Sequence, residues 1–192
     1  MNSMRSLNSR GVRCRSPHQG LPRRTSSLNN LASSLVTRYE QLGGMSDLDE
    51  AIELARSDLA IRPPGHAERA PSSNNIALYL SARNKQLGRI DDLNEALDHS
   101  QSALALCPPG HPSRSTVLSS FASHFYARYS RPRDIGDLNE ATQFSRSALA
   151  LCPPGHPDRS IALNNLVSYL STRYQQLGNI SDLNDLNSLS RA

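Results

Sequence analysis

The sequence predicts an all-α solenoid of stacked antiparallel helix pairs, and three observations carry that prediction. Cys107-Pro108-Pro109-Gly110-His111-Pro112 returns unaltered 45 positions later as Cys152 to Pro157. The same step back gives Arg62-Pro63-Pro64-Gly65-His66-Ala67, and one more gives a worn version from Pro17 to Pro22. Between these marks each copy holds two stretches of helical apolar spacing. Self-similarity at about 20 to 50 residues marks units that bury apolar surface only against their neighbours. The chain divides into a basic arm over 1–16, expected to be disordered, and an array over 17–192. The repeats run at about 17–62, 63–107, 108–152 and 153–192, the last incomplete, which makes about 3.5 copies.

In the first repeat a helix opens near Thr25, with Leu28, Leu31, Ala32, Leu35, Tyr39 and Leu42 on one face. Gly43 and Gly44 end it, since a positive φ costs glycine nothing. A second helix starts at Asp47, with Glu50 three residues on as a variant capping box. It buries Leu48, Ala51, Ile52, Ala55 and Leu59, and Pro63-Pro64 stop it. The second repeat follows with Ile76, Ala77, Leu80 and Leu87, then Leu93, Ala96, Leu97, Ala103 and Leu104, with Asp92 and Glu95 at the cap. Pro71 is expected to delay its first helix by a turn. The third carries Leu118, Phe121, Ala122, Phe125 and Tyr129, then Leu138, Ala141, Ala148 and Leu149, with Asp137 and Glu140 at the cap. Pro132-Arg133 replace the Leu-Gly of the other copies, so that turn is expected to differ in shape. The fourth has Leu163, Leu166, Val167, Leu170, Tyr174 and Leu177, then Asp182 and Asp185. Its Leu183, Leu186 and Leu189 are expected to stay partly open, as in a fragment of a longer array or one sealed by a partner or by self-association.

The spacing Ala96, Ala103, Pro108 and Ala141, Ala148, Pro153 resembles the tetratricopeptide (TPR) pattern; Ala51 and Pro63 fit it and Asp58 departs from it. Leu28-Asn29-Asn30-Leu31-Ala32 and Leu163-Asn164-Asn165-Leu166 are similar to the long repeats of kinesin light chains. The Tyr-x-x-Leu-Gly…Asp-Leu-x-x-Ala wording is similar to fungal TPR arrays found beside caspase-like CHAT domains. The resemblance covers about residues 20–185. It implies a right-handed superhelix whose first helices line a concave, peptide-binding groove, with no catalysis by this segment.

With Leu31 and Leu35 buried, about 100° per residue turns Asn29, Ser33, Val36 and Glu40 the other way. Their equivalents are Asn74, Leu78, Ser81 and Lys85, then Ser119, Ser123, Tyr126 and Ser130, then Asn164, Ser168, Ser171 and Gln175. An asparagine amide matches a peptide unit in donors and acceptors, so Asn29, Asn74 and Asn164 form a candidate ladder for an extended segment, interrupted by Ser119. The competing reading is a wet helix face of small polar residues. Asn30, Asn75 and Asn165 are read as serving local backbone groups. Arg38, Arg83, Arg128 and Arg173 are read as pairing with the Asp47-type residues, and Arg24, Arg69, Arg114 and Arg159 as inter-repeat contacts.

His66, His111 and His156 stand one repeat apart, with no second ligand near any of them, and read as turn residues; no metal or cofactor site emerges. Cys107 and Cys152 recur as repeat letters and read as packing, not as nucleophiles. Stacked elements lie about a helix diameter apart, ~10 Å, beyond the reach of roughly 7 Å between disulfide-bonded Cα atoms. A reducing, cytoplasmic setting is therefore expected, with mitochondrial targeting by the arm as the minor alternative. The net charge of +4 is uneven: seven of the 21 basic residues precede the first acidic one, Glu40, leaving 14 against 17 acidic. The array is mildly acidic and lacks the basic stripe of a nucleic-acid face, so RNA binding would rest on the arm. No apolar run reaches the roughly 18 residues of a membrane span. The resulting expectation is a non-enzymatic scaffold for a protein or peptide partner. The alternatives are the regulatory repeats of a larger CHAT protein and an RNA-binding arm.

Overall fold

A computed structural model of the chain describes residues 21–189, and the expected arm lies outside them. They form eight helices with no strand among them: α1 (Leu21–Leu42), α2 (Met45–Ile61), α3 (Arg69–Leu87), α4 (Ile90–Ala105), α5 (Arg114–Tyr129), α6 (Ile135–Ala150), α7 (Arg159–Leu177) and α8 (Ile180–Leu189). Each helix packs on its neighbours in sequence, and α5 also meets α3 and α7. The odd-numbered helices therefore form one layer and the even-numbered ones another. Leu48, Leu93 and Leu138 are fully buried at equivalent positions, as are Ala32, Ala77 and Ala122. Each buried leucine contributes about 2 kcal/mol of transfer free energy.

The helix starts correct one expectation. Asp47 does not cap α2: the cap position is Gly44, whose backbone is extended and which offers no side chain. Asp47 lies inside the first turn, and Arg38 takes its carboxylate through Nε and Nη2. The same bidentate pair joins Arg83 to Asp92, Arg128 to Asp137 and Arg173 to Asp182. Position in the first turn still sets each carboxylate against the positive end of its helix. Among the even-numbered helices, Asp134 supplies a side-chain cap, accepting from the Gly136 amide at 2.8 Å.

Pro71 delays nothing. Helix α3 starts at Arg69, in register with α5 at Arg114 and α7 at Arg159. Pro71 is its third residue, where the backbone N–H has no intrahelical acceptor and its absence is harmless. The third inter-helix turn differs less than expected. Pro132 shortens α5, which ends at Tyr129, but Arg133 then adopts φ 61°, matching Gly43 at 77°, Gly88 at 70° and Gly178 at 64°. Its amide donates to the Tyr129 carbonyl at 2.9 Å, as Gly88 donates to Asn84 and Gly178 to Tyr174. The turn thus reaches the same left-handed residue by a shorter helix.

Several residues assigned to the apolar face are exposed. Leu42, Leu87 and Leu177 occupy the last turn of α1, α3 and α7, beyond the start of the helix that follows, and stand clear of it. Leu31 is 48% exposed while its equivalents Ile76, Phe121 and Leu166, each with a repeat before it, are buried; no repeat precedes α1 among the described residues. Leu183 is exposed and Leu186 and Leu189 half-buried, as the sequence suggested for the last repeat.

Candidate functional site

Among the described residues the backbone of α5 approaches those of α3 and α7 closely and Asn75 of α3 bonds Asn29 of α1, whereas the even-numbered helices meet through long side chains, Arg56 of α2 on Glu95 of α4 and Arg146 of α6 on Asp185 of α8. The side on which neighbours close up is the inner side of a curved stack, so the candidate groove runs across α1, α3, α5 and α7. Two cavities open along its seams. One, of about 210 Å³ between α5 and α7, is walled by Thr116, Ser119, Ser123, Ile161 and Asn165, with Asp158 at its edge. The other, of about 320 Å³ between α3 and α5, is walled by Ser81, Asn84, Lys85, Ser130 and Arg131. They sit at opposite ends of adjacent seams, one near the helix starts and one near the helix ends. A segment visiting both would cross the array obliquely, passing Ser123 and Tyr126.

The sequence-assigned groove residues are spread unevenly across this surface. Ser33, Leu78, Asn164 and Ser168 are exposed, as are Glu40, Lys85, Ser130 and Gln175, while Asn29, Val36, Ser81, Ser119, Ser123, Tyr126 and Ser171 are half-buried. Asn74 is only 7% exposed, and its Oδ1 has no donor among the described residues. Asn29 already accepts from Asn75 Nδ2 of the next repeat at 3.1 Å. Asparagine at this position therefore bridges one junction, is buried at the next and is open only at Asn164. Tyr126 packs against Tyr169 with tilted rings, centroids 4.6 Å apart, and its hydroxyl meets Thr172 at 3.1 Å. Both cavities bring together residues that single-helix geometry missed. Asn165, Ile161 and Arg131 form the far wall, supplied by the following repeat. The one available signal was lateral, in that position 29 of one repeat faces position 75, the next residue of the next repeat.

The recurring arginines, histidines and cysteines among the described side chains make structural contacts, and Arg24 lies outside them. Arg69 donates to the carbonyls of Leu59 and Arg62, Arg114 to that of Cys107, and Arg159 to that of Cys152. Each cation thereby sits at the negative end of the helix before it, which offsets its poor placement at the start of its own. His66, His111 and His156 accept through Nδ1 from the amides of Glu68, Ser113 and Asp158, which closes the loop after each proline pair. Cys107 and Cys152 are buried free thiols, and burial raises the Cys107 pKa, which disfavours the thiolate. Among the described residues no group of three or more His, Cys, Asp or Glu side chains is placed to hold a metal ion, and no helix is long and apolar enough to cross a membrane.

Comparison with known proteins gives one kind of match. No protein-family model and no curated protein sequence matches the chain. Among solved structures, the nearly identical TPR-like repeats of a kinesin light chain homologue from Podosopora anserina are similar at TM-score 0.60 and 21% identity, covering 92% of this chain and 78% of that one. A single-site variant of the same protein is similar at TM-score 0.61 and 21% identity, covering 92% and 77%. At that identity the likeness shows the fold, an all-helical TPR-like repeat solenoid.

Proposed function

We propose that the chain is a protein-interaction scaffold that holds an extended peptide segment across its inner face. The observation that carries this reading is the pair of cavities on the inner layer, walled by hydroxyls and amides that can serve a peptide backbone without selecting its sequence. The ends of the oblique path differ in charge: Asp158 stands beside the first cavity, and Lys85 with Arg131 beside the second. A segment bearing an acidic residue at one end suits the Lys85–Arg131 end. Ser119, Ser123, Ser81 and Tyr126 line the path, and Asn164 and Ser168 extend it. Asn29, Asn74 and Ser33 contribute through the frame of the first junction, since Asn74 is buried and Asn29 is engaged by Asn75. The fold supports a scaffold and not an enzyme, and the two buried cysteines offer no nucleophile.

The test is selection of peptides from a displayed random library against the whole chain. Enrichment in Asp and Glu is expected, with binding weakened at least ten-fold by Lys85→Glu with Arg131→Glu and unchanged by Gln101→Ala on exposed α4 surface. Peptides that bind equally well to the charge-reversed variant, or no enrichment at all, would refute the groove assignment.

A further inference from the structure

The first and last repeats expose surfaces that every inner repeat hides, and these surfaces are the two halves of one junction. Leu31 is 48% exposed, against 0% for Ile76, 6% for Phe121 and 3% for Leu166. At the other end Val167 is 38% and Leu183 37% exposed, against 0% for Ala32, Ala77 and Ala122 and for Leu48, Leu93 and Leu138. We infer that the C-terminal face of one copy seats on the N-terminal face of a second copy, head to tail, continuing the 45-residue stack from molecule to molecule.

Three matches between the faces specify a second copy over an unrelated apolar partner. The first is volume. At the α6–α7 junction Tyr169 packs with Ala122 and Ala141, large against small. At the ends the sizes are exchanged: Val167 and Leu186 stand at the alanine positions, and Ser34 stands at the tyrosine position. A bulkier C-terminal face therefore meets a recessed N-terminal one, and the sum is conserved. The second match is polar. Arg83 reaches back to Asp49, Arg128 to Asn94 and Arg173 to Asn139, each through Nη1. The next pair in that series is Arg38 with Asn184. Arg38 holds Asp47 through Nε and Nη2, as the other arginines hold their own carboxylates, and its side chain is 55% exposed. The third match repeats the Asn75–Asn29 bond: the corresponding residues are Asn30 and Asn164, both exposed. A contact between two different faces leaves one face of each kind open on every dimer, so assembly continues past the dimer. This surface borders the groove at Asn164, and its apolar core of Leu31, Val167 and Leu183 stands whether or not the groove binds peptide.

Sedimentation equilibrium of the full chain over a wide concentration range tests the inference, and average mass is expected to rise with concentration past the dimer. Leu31→Glu and Leu183→Glu each replace an exposed side chain, so the helical circular dichroism should match that of the parent, and each variant alone should be monomeric. An equimolar mixture of the two retains one intact face of each kind and should form dimers that grow no further. Asn184→Asp recreates the Arg83–Asp49 pairing at the ends and should tighten association by about two- to five-fold. A chain that stays monomeric at every concentration overturns the inference. So does association that survives either glutamate, which would mean a face pairing with itself, and so does a mixture that remains monomeric.

Discussion

The junctions between the first and second repeats and between the second and third share a backbone and have opposite chemistry. In the first, Asp58 and Arg62 are buried to 1% and 7% exposure, bonded to each other through two contacts of 2.9 Å, and Ser72 donates to the same carboxylate at 2.6 Å. In the second, the equivalent positions hold Ala103, Cys107 and Val117, all buried. The two departures of the first repeat from the common pattern, Asp58 for alanine and Arg62 for cysteine, therefore explain each other. Neither charge would be tolerable there alone, and together with Ser72 they form a satisfied unit. One backbone accepts either an ion pair or a small apolar cluster, provided the whole set changes at once.

The largest expected effect comes from breaking that set. Asp58→Ala strands the buried Arg62 without an acceptor and leaves Ser72 only the Glu68 carbonyl, and the first junction should lose about 3–5 kcal/mol. Hydrogen exchange of α2 and α3 would show it as early opening. Because stacked repeats couple only to their neighbours, labelling of Cys152 by a thiol reagent should be far less affected. Equal acceleration at Cys152 would show that the array opens as one unit and would erase the distinction between junctions.

The second junction carries its own sensitivity, to acid. His124 of α5 lies against Ser100 of α4, with Nδ1 2.8 Å from the hydroxyl and Nε2 unpartnered among the described residues. Burial drives its pKa down to about 4. The folded state therefore resists protonation while the unfolded chain accepts a proton near pH 6.5. Stability is full above that value and is lost as pH falls toward 4, by about 3 kcal/mol in total. Denaturant melts at successive pH values would measure it. His124→Tyr, which installs the residue found at the equivalent Tyr79 and Tyr169, should flatten that slope; a slope unchanged by the substitution would locate the acid sensitivity elsewhere.

The smallest effect is expected from exchanging one chemistry for the other. Asp58→Ala, Arg62→Cys and Ser72→Val together give the first junction the composition of the second, and stability should stay within about 1–2 kcal/mol of the parent or rise. A loss as large as that of Asp58→Ala alone would mean that the first junction's backbone has adapted to its ion pair.

Much of this was legible in the sequence because the repeat supplies four readings of each position. Helix identity, the Arg38-type ion pairs and the turn role of the histidines follow from local spacing, and the structure bears them out. Of the two roles read for Asp47, pairing with Arg38 holds and capping fails, because a carboxylate near a helix start satisfies both rules in sequence and only its place inside the first turn decides between them. Leu31 was misassigned because its burial depends on a preceding repeat, which periodicity within one helix does not register. For the groove, helix geometry identifies which side chains leave the core but not which meet across a seam. Asn165 and Arg131 were missed for that reason, and the burial of Asn74 was not foreseen.

The arginines that serve two carboxylates or amides also tie each repeat to the one before it. Arg83 spans from Asp92 in its own repeat to Asp49 in the one before, and Arg128 and Arg173 span likewise to Asn94 and Asn139. The even-numbered helices that carry these partners are bridged by side chains, by these guanidinium groups and by the Arg56–Glu95 and Arg146–Asp185 pairs. One guanidinium thereby holds two successive even-numbered helices at once, Nε and Nη2 on one and Nη1 on the other. A lysine, which has the charge without the planar fork, would hold one of the two partners and leave the tie between successive repeats unmade.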